Sequence, residues 1–497
     1  MSMRIDGLIS GMQTEDIISK LMAVERQPVN LMKTRQHTYE LRKGLWNEIN
    51  SSLLSLKNKG EGIATAANLL TKKATSSDDT YFTAGADSSA ADGTYTIDVT
   101  SIAKAQRLNG TTQATGALNL SGTFTIGDGT YSSTVEVYAT DTLATIMSRI
   151  NQARDDIDPS KSLDVSATIV NNTLILEHKN TGSANGIVLA DTVNTAGSTG
   201  NDEILESLGI LNDAKTIQNE SQAAEDAVFT VNGIAVTRSS NAGLTDVISG
   251  VTLSLKKEGV TGTLTVEKDI DASVKAIKDW VGQYNSTIEL LSIRLSEEVV
   301  KDAASDALKS KGLLRGDSIL SNTKSELRQY VSTDIEGLTV YKNLSQIGIM
   351  TSGSDYGKSG KLEIDETKLR AALEANPEDV AKLFVNNEDM DGDGKTAWQE
   401  KGVIARLDSQ LEYLTNTATT SIGGTVVKAG VIQARIDYES KVISDLTDKI
   451  EAYEDRLTTK EARLYKQFTA METALSQLQN QASWLAGQLG GLSSGNG

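Results

Sequence analysis

Long apolar heptad patterns at both ends of this chain, with none in the middle, constrain its fold most. Apolar residues at alternating steps of three and four form a narrow helical stripe, which a coiled-coil partner covers. The C-terminal pattern consists of Ile436, Ile443, Leu446, Ile450, Tyr453, Leu457, Leu464, Phe468, Met471, Leu475, Leu478, Ala482, Leu485 and Leu489. The N-terminal pattern consists of Ile18, Leu21, Met32, Tyr39, Trp46, Ile49, Leu53, Leu56, Ile63, Ala67 and Leu70. We expect each end to pair with the other or with a neighbouring subunit.

If the stripes are covered only in an assembly, an isolated chain should exchange its amide hydrogens fast over residues 1–40 and 431–497. The alternative is that the C-terminal helix packs on its own domain. A stripe restricted to two positions per heptad is narrower than the face of an ordinary globular helix, which favours a coiled coil.

The composition argues against an enzyme. The 497 residues include no cysteine, which excludes disulfides, thiol nucleophiles and cysteine-ligated metals. The two histidines, His37 and His178, lie far apart in unlike contexts, which argues against a histidine-based triad or a multi-histidine metal site. The sequence has no phosphate-loop motif and no nucleophile elbow with a histidine partner. We expect no catalytic residues.

The charge distribution argues against nucleic-acid binding. The net charge is −18, and residues 75–270 hold 25 acidic and 11 basic side chains. Such a surface repels nucleic acid. The first 25 residues lack the apolar core of a secretory signal, and no stretch is apolar enough to span a membrane. We predict no nucleic-acid partner, no membrane insertion and no cleaved signal.

Local patterns predict helices at the ends and strands between them. Residues 14–74 are predicted helical, with a kink at Pro28 and a polar run over 33–43 that joins two helical segments. Strand patterns with turn residues predict hairpins over 124–138, 165–178 and 229–237 and strands over 94–103, 250–259 and 262–268. From residue 271 helical periodicity returns, with a small strand pair over 344–349 and 360–365 and a helix broken at Pro377.

A weak internal repeat occurs in the strand region. One hairpin opens at Phe124 and precedes the predicted short helix 142–151, and a second opens at Phe229 and precedes a predicted short helix over 244–249.

The segment DMDGDGKTAWQE (389–400) fits the Ca²⁺-loop pattern. The predicted ligands are the carboxylates of Asp389, Asp391, Asp393 and Glu400 and the main-chain carbonyl of Lys395. Helical sequence flanks the loop on both sides. Repulsion among the four carboxylates should splay an empty loop, so we predict a structural Ca²⁺ that closes it. The competing interpretation is a solvated acidic turn.

The whole chain resembles the flagellar filament cap proteins, also called hook-associated protein 2 or the FliD family. The most specific similarities are GLISGMQTEDIISKLMAVERQPV (7–29) and YKQFTAMETALSQLQNQASWLAGQL (465–489). GTYTIDVTSIAKAQRL (93–108) and GKLEIDETKLRAALEANPEDVAKLF (360–384) are also similar. The strand region from Phe124 to residue 189 resembles the repeat shared by flagellin and hook proteins.

The resemblance implies a multidomain α+β fold, with terminal coiled-coil helices and a helical leg domain into which two β-rich domains are inserted. The implied segments are a coiled-coil part over 1–42 and 431–497, a leg domain over 43–74 and 271–430, a β-rich head domain over 75–108 and 226–270, and an outermost β-rich head domain over 109–225.

The resemblance also implies a function. A ring of copies, usually five, sits at the filament tip, retains exported flagellin and promotes its folding and insertion. The implied partners are flagellin, hook–filament junction proteins and a cytoplasmic chaperone that holds the C-terminal helix. The chain would leave the cell through the flagellar export apparatus.

Two other functions stay open: a secreted adhesin whose acidic β-rich head binds surface ligands, and a hook–filament junction subunit. For a ring, the predicted contacts with neighbouring subunits or the filament are Ile443, Leu446, Ile450, Leu475, Leu478 and Leu485.

Overall fold

A computed structural model of the protein describes residues 13–191, 203–353, 357–416, 420–422, 425–427 and 429–493. Residues 7–12 of the N-terminal signature therefore lie outside the described residues. The described helices are α1 (Thr14–Glu25), α2 (Gln27–Glu61), α3 (Ala66–Leu69), α4 (Leu143–Gln152), α5 (Ile204–Ser207), α6 (Ile270–Ser296), α7 (Asp306–Lys309), α8 (Ser318–Ser332), α9 (Glu366–Ala375), α10 (Pro377–Val385), α11 (Val403–Thr415) and α12 (Val431–Ser493), with a 3₁₀ turn over Leu344–Ile347.

The described strands are β1 (Lys72–Ser76), β2 (Phe82–Ala86), β3 (Gly93–Ser101), β4 (Arg107–Thr112), β5 (Gly122–Gly127), β6 (Ser132–Val137), β7 (Val165–Val170), β8 (Thr173–His178), β9 (Val188–Asp191), β10 (Glu220–Gln222), β11 (Ala227–Val231), β12 (Ile234–Arg238), β13 (Leu244–Ile248), β14 (Val251–Leu255), β15 (Val260–Lys268), β16 (Ile349–Thr351), β17 (Leu362–Ile364), β18 (Thr420–Ile422) and β19 (Thr425–Val427). Helices and antiparallel sheets together confirm the predicted mixed α+β class.

The chain divides into two compact units. The first consists of residues 1–66 and 274–497 and is mainly helical over its described part, and the second consists of residues 67–273 and holds β1–β15. The finer division into seven segments stays a prediction.

The N-terminal helices differ from the sequence prediction at two places. Helix α1 ends before Arg26, and Pro28 lies in the first turn of α2, where its missing N–H costs nothing. The predicted joint over residues 33–43 is wrong, because α2 runs unbroken through it to Glu61. That run contains strong helix formers such as Lys, Arg, Gln and Glu, and Gly44 is tolerated beside the buried Leu45 and Trp46.

The three predicted hairpins are confirmed. Strands β5 and β6, β7 and β8, and β11 and β12 pair antiparallel. The turns use residues that adopt positive φ, with φ of 49° and 56° at Asn171 and Asn172 and of 51° and 80° at Asn232 and Gly233. Such φ values match the type I′ turns that two-residue hairpin loops prefer.

Unit 2 contains two separate apolar cores. One surrounds Phe124 and includes residues of β5–β8 and α4, and the other surrounds Phe82 and Phe229 and includes residues of the sheet with strand order β1-β15-β3-β11-β12. The internal repeat holds only in part. Helix α4 forms behind its Thr142 cap, whereas the second predicted helix, over 244–249, is wrong: β13 lies there and pairs with β14. Six residues are too few for a stable helix without strong caps.

The second half of unit 1 follows the sequence prediction in part: the strand predicted over 344–349 is wrong for Leu344–Ile347, which form a 3₁₀ turn, and β16 begins at Ile349. Helices α9 and α10 break at Asn376, before Pro377, and β16 pairs antiparallel with β17. Trp280 and Tyr284 of α6 are fully buried, and Phe384 of α10 meets Trp280 edge-on at 6.0 Å between ring centroids. Among the described helices, none is both long and apolar enough to cross a membrane.

Candidate assembly site at the terminal helices

The C-terminal heptad pattern forms one continuous helix. Helix α12 contains 63 residues and runs unbroken past Lys460, which stands where the heptad pattern calls for an apolar residue. The Lys460 ammonium group is 2.7 Å from the Glu25 carboxylate of α1. A helix of this length spans roughly 95 Å at 1.5 Å per residue.

Helix α12 runs antiparallel to α1 and α2 within one chain. Going down α12, Glu439 lies 3.8 Å from Arg42, Thr447 accepts a hydrogen bond of 2.8 Å from Gln36, and Glu454 accepts one of 2.9 Å from Lys33. Residue numbers therefore rise on one helix as they fall on the other. The Lys33 ammonium group also holds the pKa of Glu454 below its usual value.

An apolar cluster joins α1 and the start of α2 to the middle of α12. Its buried members are Ile18, Met22, Val29, Ile450 and Leu457, and half-buried Met32, Leu464, Tyr465 and Phe468 pack against it. The termini therefore do pair within a single chain. The expectation of fast amide exchange over all of 431–497 is wrong for the part of α12 that this cluster covers.

Below this cluster the stripe on α12 is open. We call residues 473–493 the distal segment. Leu478, Leu485 and Leu489 are 60%, 53% and 62% exposed, and Trp484 is 65% exposed. Leu475 is half-buried.

The six residues predicted to contact neighbours therefore fall into two groups. Ile450 is buried in the cluster of its own chain, and Ile443 and Leu446 are half-buried beside α2. Leu475, Leu478 and Leu485 lie in the distal segment, where the described part of the chain leaves Leu478 and Leu485 exposed. We restrict the predicted intersubunit contacts to this second group, because a side chain covered within one chain presents no surface to a neighbour.

The sequence contains a signal for the distal segment that heptad spacing alone does not show. Residues 473–493 carry no Lys, Arg, Asp or Glu, whereas such residues form 23% of the chain. Charged side chains resist burial, so a helical segment without any can be covered on every side. Trp484 lies beside the stripe rather than on it, which widens the apolar surface.

The acidic loop forms a second candidate site. Carboxylate oxygens of Asp389, Asp391 and Asp393 lie within 4.8 Å of one another, and all three side chains are exposed. Asp389 accepts hydrogen bonds from the N–H groups of Gly392 and Gly394, both at 2.7 Å. The Gly394 N–H is the main cause that lowers the pKa of the Asp389 carboxyl.

Glu400 does not join this triad. Its side chain is buried, one carboxylate oxygen accepts hydrogen bonds from the N–H groups of Met390 and Asp391 at 2.8 and 3.0 Å, and the other accepts one from Ala397 at 2.7 Å. The expectation that repulsion splays an empty loop is wrong, because these main-chain donors close it. Lys395 lies in the loop and donates its N–H to Asp393 at 2.8 Å.

The flanking elements stand further from the loop than the pattern predicts. Helix α10 ends at Val385 and α11 begins at Val403, so Trp398 lies in a turn rather than in a helix. Buried Arg406 fixes this turn by donating to the carbonyls of Trp398 and Gln399 at 2.9 and 2.5 Å. Burial lowers the pKa of the Arg406 guanidinium to about 10.

Comparison with known protein families gives two matches. The family model described as flagellar hook-associated protein 2 N-terminus matches residues 10–106, and the one described as flagellar hook-associated protein 2 C-terminus matches residues 224–480. Together the two matched regions include α1, α2 and most of α12.

Relatives that match over nearly the whole chain and a solved structure belong to the same family as the two models. The chain is 30% identical over 494 residues to flagellar hook-associated protein 2 of Escherichia coli strain K12, which covers 97% of each chain. It is 28% identical to flagellar hook-associated protein 2 of Halalkalibacterium halodurans, over 97% of this chain and 98% of the relative. The crystal structure of the flagellar cap protein FliD D1-D2-D3 domains from Escherichia coli matches with a TM-score of 0.55 and 27% identity, over 80% of this chain and 99% of the other.

Proposed function

This chain belongs to the flagellar hook-associated protein 2 family, a structural rather than enzymatic family, and we propose that it caps the flagellar filament through the distal segment of α12. Family membership gives the coarse function, a cap that works with flagellin as an oligomer at the extracellular tip of the flagellum. The role of the distal segment is our own inference from its surface.

The observation that carries the proposal is the contrast along α12. Its upper part is covered by α1 and α2, whereas the distal segment exposes Leu478, Trp484 and Leu485 on a helix without charges. Large apolar surfaces on soluble proteins mark interaction sites. We therefore expect the apolar side chains of the distal segment to be buried against a partner helix in the assembly.

The test places charge on the exposed stripe. The double variant Leu478→Asp/Leu485→Asp should fold with an unchanged unfolding midpoint, because neither side chain is buried in the isolated chain. It should fail to restore filaments in a strain that lacks the protein, and that strain should release flagellin monomers into the medium.

The matched control is Gln467→Asp, which adds a charge at an exposed polar position of α12 outside the distal segment. This variant should restore filaments. Filaments of ordinary length with the double variant would contradict the role of the distal segment. Filaments in the strain that lacks the protein would contradict the cap function itself.

The finer steps are part of the proposal. Copies of the chain would form a closed ring, five in number by family resemblance, which retains exported flagellin and promotes its folding and insertion. A cytoplasmic chaperone would cover the C-terminal helix before the flagellar export apparatus secretes the chain. Hook–filament junction proteins would be further partners of the chain. Native mass measurement of the purified full chain tests the ring: a single monomer mass of 53.0 kDa, or an open-ended series of multiples of it, would contradict it.

The two alternative functions stay predictions. The match to family models over both terminal regions favours the cap over an adhesin or a junction subunit, since the relatives that cover the whole chain carry the name of the hook-associated protein 2. Deletion of residues 109–225 separates cap from adhesin: an adhesive head should be dispensable for filament growth, whereas a cap plate should not.

We also propose that the acidic loop binds Ca²⁺ weakly, through Asp389, Asp391, Asp393, the Lys395 carbonyl and Glu400. The supporting observation is that carboxylate oxygens of Asp389, Asp391 and Asp393 lie within 4.8 Å of one another, in a loop where the Gly394 N–H donates to Asp389. Glu400 would have to exchange main-chain donors for the ion, so we expect a dissociation constant no tighter than about 10⁻⁴–10⁻³ M.

Calorimetry of the full chain tests this site. Millimolar Ca²⁺ should give heat that Asp391→Asn reduces, whereas Asp379→Asn, outside the loop on α10, should leave it unchanged. No heat, or equal heat from Asp391→Asn, would leave the segment as a solvated acidic turn.

A further inference from the structure

A polar layer interrupts the apolar contact between α2 and α12. On one side of it, Leu45 and Trp46 of α2 and Ile436 of α12 are buried, and on the other side Val29 and Ile450 belong to the separate apolar cluster. Two polar pairs meet there, Arg42 with Glu439 and Gln36 with Thr447, next to the half-buried Ile443 and Leu446.

Glu439 occupies a position of the stripe where an apolar residue is expected. It lies three residues after Ile436 and four before Ile443, in step with the heptad. Its side chain is 1% exposed, one oxygen is 3.8 Å from the Arg42 guanidinium, and the other oxygen has no hydrogen-bond donor among the described residues.

A buried carboxylate with one long ion pair contributes little stability, and an apolar side chain of similar size at such a position often stabilises a helix pair more. Polar side chains in a coiled-coil stripe are known instead to fix the register and the partner. The burial of Glu439 also raises the pKa of its carboxyl, against the opposing charges of Arg42 and Arg435.

The two polar pairs together exclude a shift by one heptad in either direction. A shift one way would place Glu439 opposite Ile49, which would leave its carboxylate among apolar side chains. A shift the other way would bring Arg35 to Glu439 but would place Thr447 opposite Val29, with the loss of the 2.8 Å bond from Gln36. The present alignment satisfies both pairs.

We propose that Arg42–Glu439 and Gln36–Thr447 act as a register key, which fixes the axial alignment of the C-terminal helix against the N-terminal helices. The key determines how far the distal segment extends beyond α1. This consequence for the length of the projecting segment rests on the proposed function, whereas the register itself is a property of the single chain and is measured on it.

The chain is well suited to a distance measurement because it contains no cysteine. Cysteines introduced at exposed Asn30 and Asp455 carry the only two spin labels, one on each helix. A shift by one heptad displaces one label by about 10 Å along the axis. Pulsed electron paramagnetic resonance on the dilute full chain resolves such a change.

With the register key intact, the labels should give one narrow distance. Arg42→Leu/Glu439→Leu should keep or raise the unfolding midpoint and should broaden the distribution or add a second, longer distance, because the two labels lie level in the native register. The matched control Lys33→Ala/Glu454→Ala removes a half-exposed ion pair and should leave the single distance unchanged.

Gln36→Leu/Thr447→Leu is a second, independent variant, and it tests the register key if Arg42→Leu/Glu439→Leu does not fold. It should also broaden the distribution. One narrow unchanged distance in every folded key variant would overturn the proposal, and so would equal broadening in the Lys33→Ala/Glu454→Ala control. Because no assembly is involved, either result leaves the test of the cap function untouched.

Discussion

The upper and distal parts of α12 share one heptad pattern but differ in what covers it. Over residues 431–468 the stripe meets α1 and α2, and Ile450 and Leu457 are buried. Over residues 478–489 it is open, and Leu478 and Leu485 are more than half exposed. The upper part carries charges that meet Arg26, Lys33 and Arg42, whereas the distal part carries none. Heptad spacing thus predicts where a partner binds, and the surrounding charges indicate whether the partner is in the same chain.

The largest expected difference between the two parts is in stability. Leu457→Ala removes a buried side chain from the cluster with Ile18 and should lower the free energy of opening of α1 by about 2–5 kcal/mol. Leu485→Ala should change it by less than about 0.5 kcal/mol, because the side chain is exposed. Native-state amide exchange of α1 in the full chain measures both, and similar losses would show that the distal segment is covered in the isolated chain.

Amide exchange along α12 itself gives the second expected difference. In the isolated chain, residues 443–464 should exchange more slowly than residues 475–489 by about tenfold or more, which corresponds to about 1.4 kcal/mol in opening free energy. On assembly the distal segment should become protected while the upper part changes little. Uniform exchange along the helix, or a gain of protection confined to the upper part, would contradict the division of α12 into two parts.

The sequence predicted the elements well where local patterns are strong. The Asn232–Gly233 and Asn171–Asn172 turns fix their hairpins because these residues accept positive φ, and Pro377 ends α9 because it cannot extend the preceding helix. The pattern over 244–249 misled because a short apolar segment fits a helix or a strand, and the neighbouring β14 decides between them.

The candidate sites were less predictable because they depend on tertiary neighbours. Heptad spacing gave the stripe on α12, but whether Ile450 or Leu485 is covered depends on the register against α1, which spacing does not fix. The twelve-residue Ca²⁺ pattern gave the position of Asp389 and Glu400, but not that main-chain N–H groups occupy both Glu400 oxygens. A search for apolar periodicity misses Glu439 because its side chain is polar, although it stands at a position of the stripe.

The smallest expected difference concerns pH and the buried carboxylate of the upper part. Burial raises the pKa of Glu439 above its ordinary value of 4.5, so the folded chain binds this proton more tightly than the unfolded chain does. The ionised carboxylate therefore destabilises the helix pair at pH 7, and the penalty is relieved as the pH falls through the raised pKa towards 4.5. Glu454 behaves in the opposite sense, since its lowered pKa stabilises the pair at neutral pH and this contribution is lost at lower pH.

Glu439→Gln keeps an acceptor for Arg42 but removes the buried charge. The variant should therefore stabilise the α2–α12 pair relative to the parent chain at pH 7, and this advantage should shrink as the pH is lowered to 5. Glu454→Gln, on an ion pair that is half-exposed, should instead weaken the pair slightly at pH 7. Amide exchange of α2 at the two pH values measures both variants. If the stability difference between Glu439→Gln and the parent chain is the same at pH 7 and pH 5, Glu439 titrates normally and the layer around it is open to water. If the difference shrinks, the upper part of α12 contains a buried charge, in contrast to the uncharged distal part.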